Sequence, residues 1–173
     1  MFVGHSKAGK SRALRRLGTA LRKLGYNVVL ISFNDETSYY PNEASSALQS
    51  VLARIAYAIA KPDVTNGLPL HDDTMEQTTL RFTTTEDAVL DWLQLQGENC
   101  ILLIDELNNC IDSPRLKYRP PQHEIDEVVR FLSDVFVKRP RGYYAFTTHR
   151  SNTRRIVEMV EGYNGHREIA LPA

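Results

Sequence analysis

The hydrophobic residues of this chain form two kinds of pattern, a helical repeat and short continuous runs. Leucines at 14, 17, 21 and 24 recur every three or four residues, which predicts an amphipathic helix that ends at Gly25. Short apolar runs without alternation, at 27–32 and 100–104, are typical of strands buried on both faces. The predicted elements, in chain order, are a strand end at 1–3, helix 10–24, strand 27–32, helix 43–60, helix 85–96, strand 100–104, helix 124–138, strand 143–147, helix 151–161 and strand 168–171. Strands that alternate with helices predict an α/β fold with a parallel sheet between two helical layers.

Two polar segments interrupt this pattern. Residues 61–84 contain two prolines with clustered Asp and Thr, and residues 112–122 contain three prolines, so both are predicted to be surface loops or insertions. Because no repeat, low-complexity tract or clean linker is present, residues 1–173 are predicted to form a single domain. The first strand is only three residues long before a glycine, so we expect a truncated first strand and a fragment of a larger protein.

Composition narrows the class of protein. The chain has 173 residues, 42% of them hydrophobic and 24% charged, which is ordinary for a globular domain. Lys+Arg and Asp+Glu both number 21, so the balanced charge argues against a dominant nucleic-acid-binding surface. Any binding of nucleic acid is therefore expected only through further domains, although a local basic patch is compatible with the balanced charge. The basic residues of the first predicted helix are interpreted as a solvated helix face.

The cellular location is predicted from two features. Two cysteines form no disulfide framework, which favours a reducing compartment. No apolar run approaches the roughly 20 residues that span a bilayer, so no membrane contact is expected. The protein is predicted to be intracellular, either cytoplasmic or nuclear.

A glycine-rich sequence at the start of the first helix fits the phosphate-binding pattern G-x-x-x-x-G-K-[S/T]. Its residues are Gly4, His5, Ser6, Lys7, Ala8, Gly9, Lys10 and Ser11, followed by Arg12. Glycines allow a tight turn whose backbone N–H groups face phosphates, and the helix that follows presents its positive end. Lys10 is predicted to reach the β- and γ-phosphates, and Ser11 to ligate Mg²⁺. The sequence therefore predicts a P-loop nucleotide site over residues 4–12.

An acidic pair follows the most apolar predicted strand. Asp105 and Glu106 come directly after Ile101-Leu102-Leu103-Ile104, as in a Walker B motif. The carboxyl end of a parallel strand is where ligands of open α/β sheets bind. Asp105 is predicted to hold the Mg²⁺ shell, and Glu106 to orient and polarise the attacking water.

A third polar element ends the strand at 143–147. This element resembles the sensor 1 position of additional-strand P-loop ATPases, and Thr147-Thr148-His149-Arg150 resembles the Thr-Thr-Arg of STAND signalling ATPases. The resemblance implies that Thr148 contacts the γ-phosphate or the water, and that Arg150 stabilises charge on the γ-phosphate from within the same chain.

Taken together, these three elements resemble the AAA+/STAND branch of P-loop NTPases. The resemblance implies a three-layer α/β/α domain with strand order 5-1-4-3-2. It also implies ATP and Mg²⁺ as ligands, and either a homo-oligomer or neighbouring domains of a longer protein as partners.

A narrower resemblance rests on three segments. Ile31-Ser32-Phe33-Asn34, Leu102 to Asn108 and Phe146 to His149 are similar to the NTPase domains of Crinkler effectors and retrotransposon hot spot proteins. This similarity implies a role in a host cell or nucleus.

Three functions remain open at this point. The first is Mg²⁺-dependent ATP binding and hydrolysis by the nucleotide-switch module of a larger regulatory or effector protein. The second is a nucleoside-type small-molecule kinase that uses an acid after the second strand, such as Asp35, as its base. The third is a nucleotide-binding scaffold without turnover. The absence of an Asn-Lys-x-Asp motif favours ATP over GTP.

Overall fold

Parallel strands build the centre of this domain. The computed structural model describes residues 2–3, 9–34, 39, 44–61, 75–96, 99–111, 120–136, 142–148, 153 and 169–170. The strands of this part are β1 (Phe2–Val3), β2 (Asn27–Ser32), β3 (Cys100–Asp105), β4 (Gly142–Thr148) and β5 (Ile169–Ala170). They pair in the order β2-β3-β4-β1-β5, which counted from β5 is 5-1-4-3-2. Every pairing is parallel, so the carboxyl ends of all these strands meet at one edge.

The three longer strands hold most of the sheet together. β2 pairs with β3 from Asn27 opposite Cys100 to Ser32 opposite Asp105. β3 pairs with β4 up to Ile104 opposite Phe146. Every residue of β3 is buried, as its unbroken apolar run predicts for a central strand covered on both faces. The predicted α/β fold with a parallel sheet is therefore confirmed.

The helices of the described residues are α1 (Lys10–Lys23), α2 (Ala47–Ala60), α3 (Met75–Arg81), α4 (Glu86–Gln96), α5 (Asn108–Ile111) and α6 (Gln122–Phe136).

Helix α1 covers one face of the sheet. Leu14 of α1 packs with Leu30 and Leu103 in a small core. Gly18 lets the helix approach closely, since a Cβ there would lie 3.1 Å from Leu103 Cδ1. The leucine period therefore positions α1 directly against the sheet.

The opposite face carries the larger core. Side chains from α2, α4, α5 and α6 pack there against the alternate residues of β2, β3 and β4. The apolar positions predicted for the helix at 124–138 are all buried in α6, and they are Ile125, Val128, Val129, Leu132, Val135 and Phe136. Helices therefore lie on both faces of the sheet.

Some predicted boundaries were wrong. The helix predicted at 43–60 begins at Ala47, because Ser46 caps it by accepting a hydrogen bond from Gln49 N at 3.2 Å. Glu124 Oε2 also accepts from Ala47 N at 2.8 Å, which ties α6 to the start of α2. The helix predicted at 85–96 agrees closely with α4, which Thr85 caps by accepting a hydrogen bond from Ala88 N at 3.2 Å.

Two short helices were missed by the sequence analysis. Residues 75–81 of the predicted loop 61–84 form α3, and residues 108–111 form α5. Residues 112–119 of the second predicted loop lie outside the described residues, and its last residue, Gln122, begins α6. Of the predicted helix at 151–161, the description covers Thr153.

Candidate nucleotide-binding site

The carboxyl edge of the sheet gathers polar side chains from distant parts of the chain. β3 ends at Asp105, β4 ends at Thr148, and α1 begins at Lys10. Neighbouring parallel strands place their last residues side by side, and here Ser32 lies opposite Asp105. This edge is where open α/β sheets bind their ligands.

The chain enters α1 through a left-handed glycine. Gly9 has φ 78° and ψ 14°, a conformation that costs glycine little because it lacks a Cβ. Lys10, the first residue of α1, is 4% exposed. No acidic residue lies in the first turn of this helix, so α1 itself places no carboxylate beside its free N–H groups and positive dipole end.

Asp105 accepts hydrogen bonds from two hydroxyl groups. Ser11 Oγ donates to Asp105 Oδ1 at 3.0 Å across a separation of 94 residues. Thr147 Oγ1 donates to the same oxygen at 2.7 Å from the neighbouring strand. Asp105 is 3% exposed and Thr147 is fully buried, so these bonds form away from bulk water. The start of α1 and the ends of β3 and β4 therefore converge on a single carboxylate.

Glu106 occupies a strained turn directly after β3. Its φ is 55°, and it is the one non-glycine residue with positive φ among those that the structure describes. The turn is held from β4, because Glu106 N donates to Thr147 Oγ1 at 2.7 Å and Leu107 N donates to Thr147 O at 3.1 Å. Such left-handed non-glycine residues cost about 1–3 kcal/mol and cluster at functional sites.

The side chain of Glu106 is held by Asn109, one helical turn further on. Asn109 Nδ2 donates to Glu106 Oε2 at 3.0 Å and to Phe33 O at 2.7 Å. Asn109 Oδ1 in turn accepts from Asn108 Nδ2 at 2.7 Å. Because Asn109 is 4% exposed, its amide links the carboxylate of Glu106 to the end of β2 inside the protein.

A buried arginine supports the same end of β2. Arg54 of α2 is 2% exposed and donates from a guanidinium nitrogen to Ser32 O at 2.7 Å. Its guanidinium also lies 4.2 Å from the centre of the Phe33 ring, a cation–π contact. The carbonyl groups of Ser32 and Phe33 are thus fixed by side chains from α2 and α5.

The structure brings together some of the predicted site residues. Lys10, Ser11, Asp105 and Glu106 lie at the carboxyl edge, while Arg12 is exposed on α1. Thr148 is buried, and its hydroxyl donates to Thr153 Oγ1 at 3.1 Å. The predicted residues Gly4, His5, Ser6, Lys7, Ala8 and Arg150, together with Asp35, lie outside the described residues.

Three contributors to this edge were missed by the sequence analysis. The sequence pattern pointed to Thr148, but the β4 hydroxyl that contacts Asp105 belongs to Thr147. Asn109 and Arg54 were not predicted, and their contacts at Phe33 and Ser32 span 76 and 22 residues. The Thr-Thr pair at the end of the strand was visible in the sequence. Neighbouring strand residues point to opposite faces, so the two threonines make different contacts.

The oxygen atoms at this edge fit magnesium better than zinc. Among the residues that the structure describes, no group of three or more His, Cys, Asp or Glu side chains is placed to hold a metal. Ser11 and Asp105 offer a hydroxyl and a carboxylate, both hard oxygen donors. Mg²⁺ keeps several waters and takes few protein ligands beside phosphate oxygens, so this small donor set suits it.

Comparisons with known proteins bear on the fold of this chain. No helix in the described part of the chain is long and apolar enough to cross a bilayer. A scan against protein-family models gave no match, and a search of curated proteins gave none either. Among solved structures, the chain is similar to the ORC2 protein of Aeropyrum pernix in its ADP form, with 15% identity and a TM-score of 0.50. The match covers 99% of this chain and 42% of the ORC2 chain, and at this identity it shows a likeness of fold.

Proposed function

We propose that this chain binds ATP with Mg²⁺ and hydrolyses it, as the nucleotide-switch module of a larger regulatory or effector protein. The observation that carries the proposal is the 3.0 Å contact between Ser11 Oγ and Asp105 Oδ1. It joins the end of a phosphate-binding sequence motif to a carboxylate at the carboxyl edge of a parallel sheet. The ADP form of the structurally similar ORC2 protein supports an adenine nucleotide as the ligand.

The residues at the start of α1 would bind the phosphates. Gly9 turns the chain into α1, whose free N–H groups would face an anion, and Lys10 would supply a positive charge beside them. Ser11 and Asp105 would hold Mg²⁺, which would neutralise charge on the phosphate oxygens. Residues 4–8 would complete the phosphate-binding loop, with Arg12 at its end.

Glu106 would orient the water for hydrolysis. Its carboxylate would accept a hydrogen bond from that water, whose oxygen attacks the γ-phosphorus while the bond to the β–γ bridging oxygen breaks. The products are ADP and inorganic phosphate. Asn109 holds one carboxylate oxygen of Glu106 at 3.0 Å and so limits the rotation of this side chain.

Our proposal includes membership of the AAA+ branch of P-loop NTPases. The strand order counted from β5 and the acidic pair after β3 support the AAA+ branch. Within that branch we retain the STAND-like roles of Thr148 and Arg150 at the γ-phosphate. The Crinkler-like assignment, a homo-oligomer or neighbouring domains as partners, and a cytoplasmic or nuclear location are retained on the same sequence grounds.

Phosphate release and nucleotide binding test this function on the same samples. We expect wild type to release phosphate from ATP with Mg²⁺, Lys10→Ala to lose binding, and Glu106→Gln to bind ATP with little turnover. Lys61→Ala is the matched control, because Lys61 is an exposed lysine just after α2. ATP binding without phosphate release in wild type would contradict hydrolysis and favour the scaffold. Phosphate transfer to an added nucleoside would favour the kinase.

A further inference from the structure

Helix α1 carries an unusual concentration of positive charge. Its 14 residues, KSRALRRLGTALRK, contain six Lys or Arg and no acidic residue. The whole chain has equal numbers of basic and acidic residues, 21 of each, so this helix departs strongly from the balance of the protein. The buried side of α1 holds Leu14 and Gly18, and Lys10 is buried at the nucleotide site.

Four of the five other cations form a surface that we call the α1 basic face, consisting of Arg12, Arg15, Arg16 and Lys23. The fifth, Arg22, donates from its guanidinium group to Val28 O at 3.2 Å. All four are exposed, and none of their side chains makes a hydrogen bond or ion pair in the part of the chain that the structure describes. The exposed Thr19 continues the same side of the helix between Arg16 and Lys23. From Arg12 to Lys23 the helix rises roughly 16 Å at about 1.5 Å per residue.

This arrangement opposes the stability of the isolated helix. Arg12 lies three and four residues before Arg15 and Arg16, a spacing at which like charges repel. Arg12 also lies in the first turn, where the helix dipole disfavours a cation. Lys23 in the last turn is favoured by the dipole, so it needs no other explanation. Among the described residues the side chains of Arg12, Arg15 and Arg16 have no acidic partner, so a ligand that supplies negative charge would offset this repulsion.

We propose that the α1 basic face, which the sequence pattern alone indicated to be a solvated helix face, binds the phosphate backbone of duplex nucleic acid. Arginine guanidinium groups bind phosphate oxygens through paired hydrogen bonds, and three of the four cations are arginines. A length of roughly 16 Å matches about five steps of a strand at 3.4 Å each. The face has no aromatic side chain for base stacking and no apolar side chain for insertion into a bilayer, which disfavours single strands and membranes.

Salt-dependent binding tests this surface without reference to nucleotide hydrolysis. The probe is a fluorescein-labelled 20-base-pair DNA duplex, followed by anisotropy between 50 and 200 mM salt. About four phosphate contacts predict a log–log slope near −3.6, and hence roughly a 100-fold loss of affinity over this range. The double variant Arg15→Ala/Arg16→Ala should reduce the magnitude of the slope by about 2 and bind at least about tenfold more weakly at low salt. Neither residue belongs to the proposed nucleotide site.

A matched control separates a local surface from net charge. Arg130 and Lys61 are exposed on the helical layer across the sheet from α1, so Arg130→Ala/Lys61→Ala removes the same charge elsewhere. This control should keep the wild-type slope, and circular dichroism should show both variants folded. Equal slopes for all three proteins would overturn the proposal, as would failure of wild type to bind the duplex. Binding to phosphatidylserine vesicles without binding to the duplex would also overturn it and assign a lipid surface instead.

Discussion

Thr147 joins three parts of the candidate site, so removing its hydroxyl has a predictable cost. Thr147→Val keeps the shape of the side chain but loses the bond to Asp105 Oδ1 at 2.7 Å and orphans Glu106 N. A hydrogen bond to a charged group contributes about 1.5–3 kcal/mol, and a buried donor left unsatisfied costs about 1–3 kcal/mol. We expect the free energy of unfolding to fall by about 2.5–6 kcal/mol, which lowers Tm by roughly 5–25 °C at this chain length.

The same change should weaken the contribution of Mg²⁺ to ATP affinity. Groups that orient a metal ligand typically contribute about 10–100-fold to metal affinity, and Thr147 orients Asp105 in this way. Titration calorimetry with ATP, with and without Mg²⁺, measures this directly, and urea unfolding measures the stability. Enough folded protein must remain, so both are done well below the Tm of the variant.

Thr148→Val provides the matched control at the adjacent position. Both threonines are fully buried, but Thr148 Oγ1 donates to Thr153 at 3.1 Å rather than to Asp105. A neutral pair contributes about 1 kcal/mol, so we expect a smaller loss of stability and an unchanged effect of Mg²⁺ on ATP affinity. The reasoning is refuted if Thr148→Val removes the Mg²⁺ effect while Thr147→Val leaves it intact.

Three further predictions follow from single contacts. Asn109→Ala should lower kcat about 10-fold or more with little change in ATP affinity, because Asn109 holds the Glu106 carboxylate. In a Glu106→Gln background the same change should have no additional effect on kcat, and steady-state kinetics measures both. Gly18→Val should cost about 1–3 kcal/mol of stability in urea unfolding, because even a Cβ there meets Leu103 at 3.1 Å; an unchanged midpoint would contradict the close packing of α1. Burial raises the pKa of Cys100 from 9.0 to about 11, so at pH 8 its thiolate fraction is about 100-fold lower than in the unfolded chain. Peptide-mapped alkylation should be slower by at least that factor in the native protein than in urea, and equal rates would contradict the buried position.

Much of the fold was predictable because buried strands and amphipathic helices have local signals. The apolar run at 100–104 became β3, and the leucine period became α1. The helix α3 was hidden, since seven residues in a polar segment show too little periodicity to stand out. The start of α2 was misplaced because Pro41 and Asn42 gave a helix-start signal before Ser46, which provides the actual cap.

The candidate site was predictable where its residues belong to short sequence motifs with a known chemical role. Two motifs assigned Ser11 and Asp105 to one Mg²⁺ site, and the structure has Ser11 Oγ 3.0 Å from Asp105 Oδ1. The choice between Thr147 and Thr148 depends on strand register, because one step along a strand moves a side chain to the other face. The contact of Asn109 with Phe33 O depends on how α5 packs beside β2, which no local pattern indicates.

The central claim is that Ser11 and Asp105 form a Mg²⁺-dependent nucleotide site, and the Mg²⁺ dependence of ATP binding tests it most directly. Calorimetry would compare wild type with Asp105→Asn, which keeps the shape of the side chain and removes its charge. We predict that Mg²⁺ strengthens ATP binding at least tenfold in wild type and has little effect in the variant. Equal strengthening by Mg²⁺ in both proteins, or no ATP binding by wild type, would contradict the account.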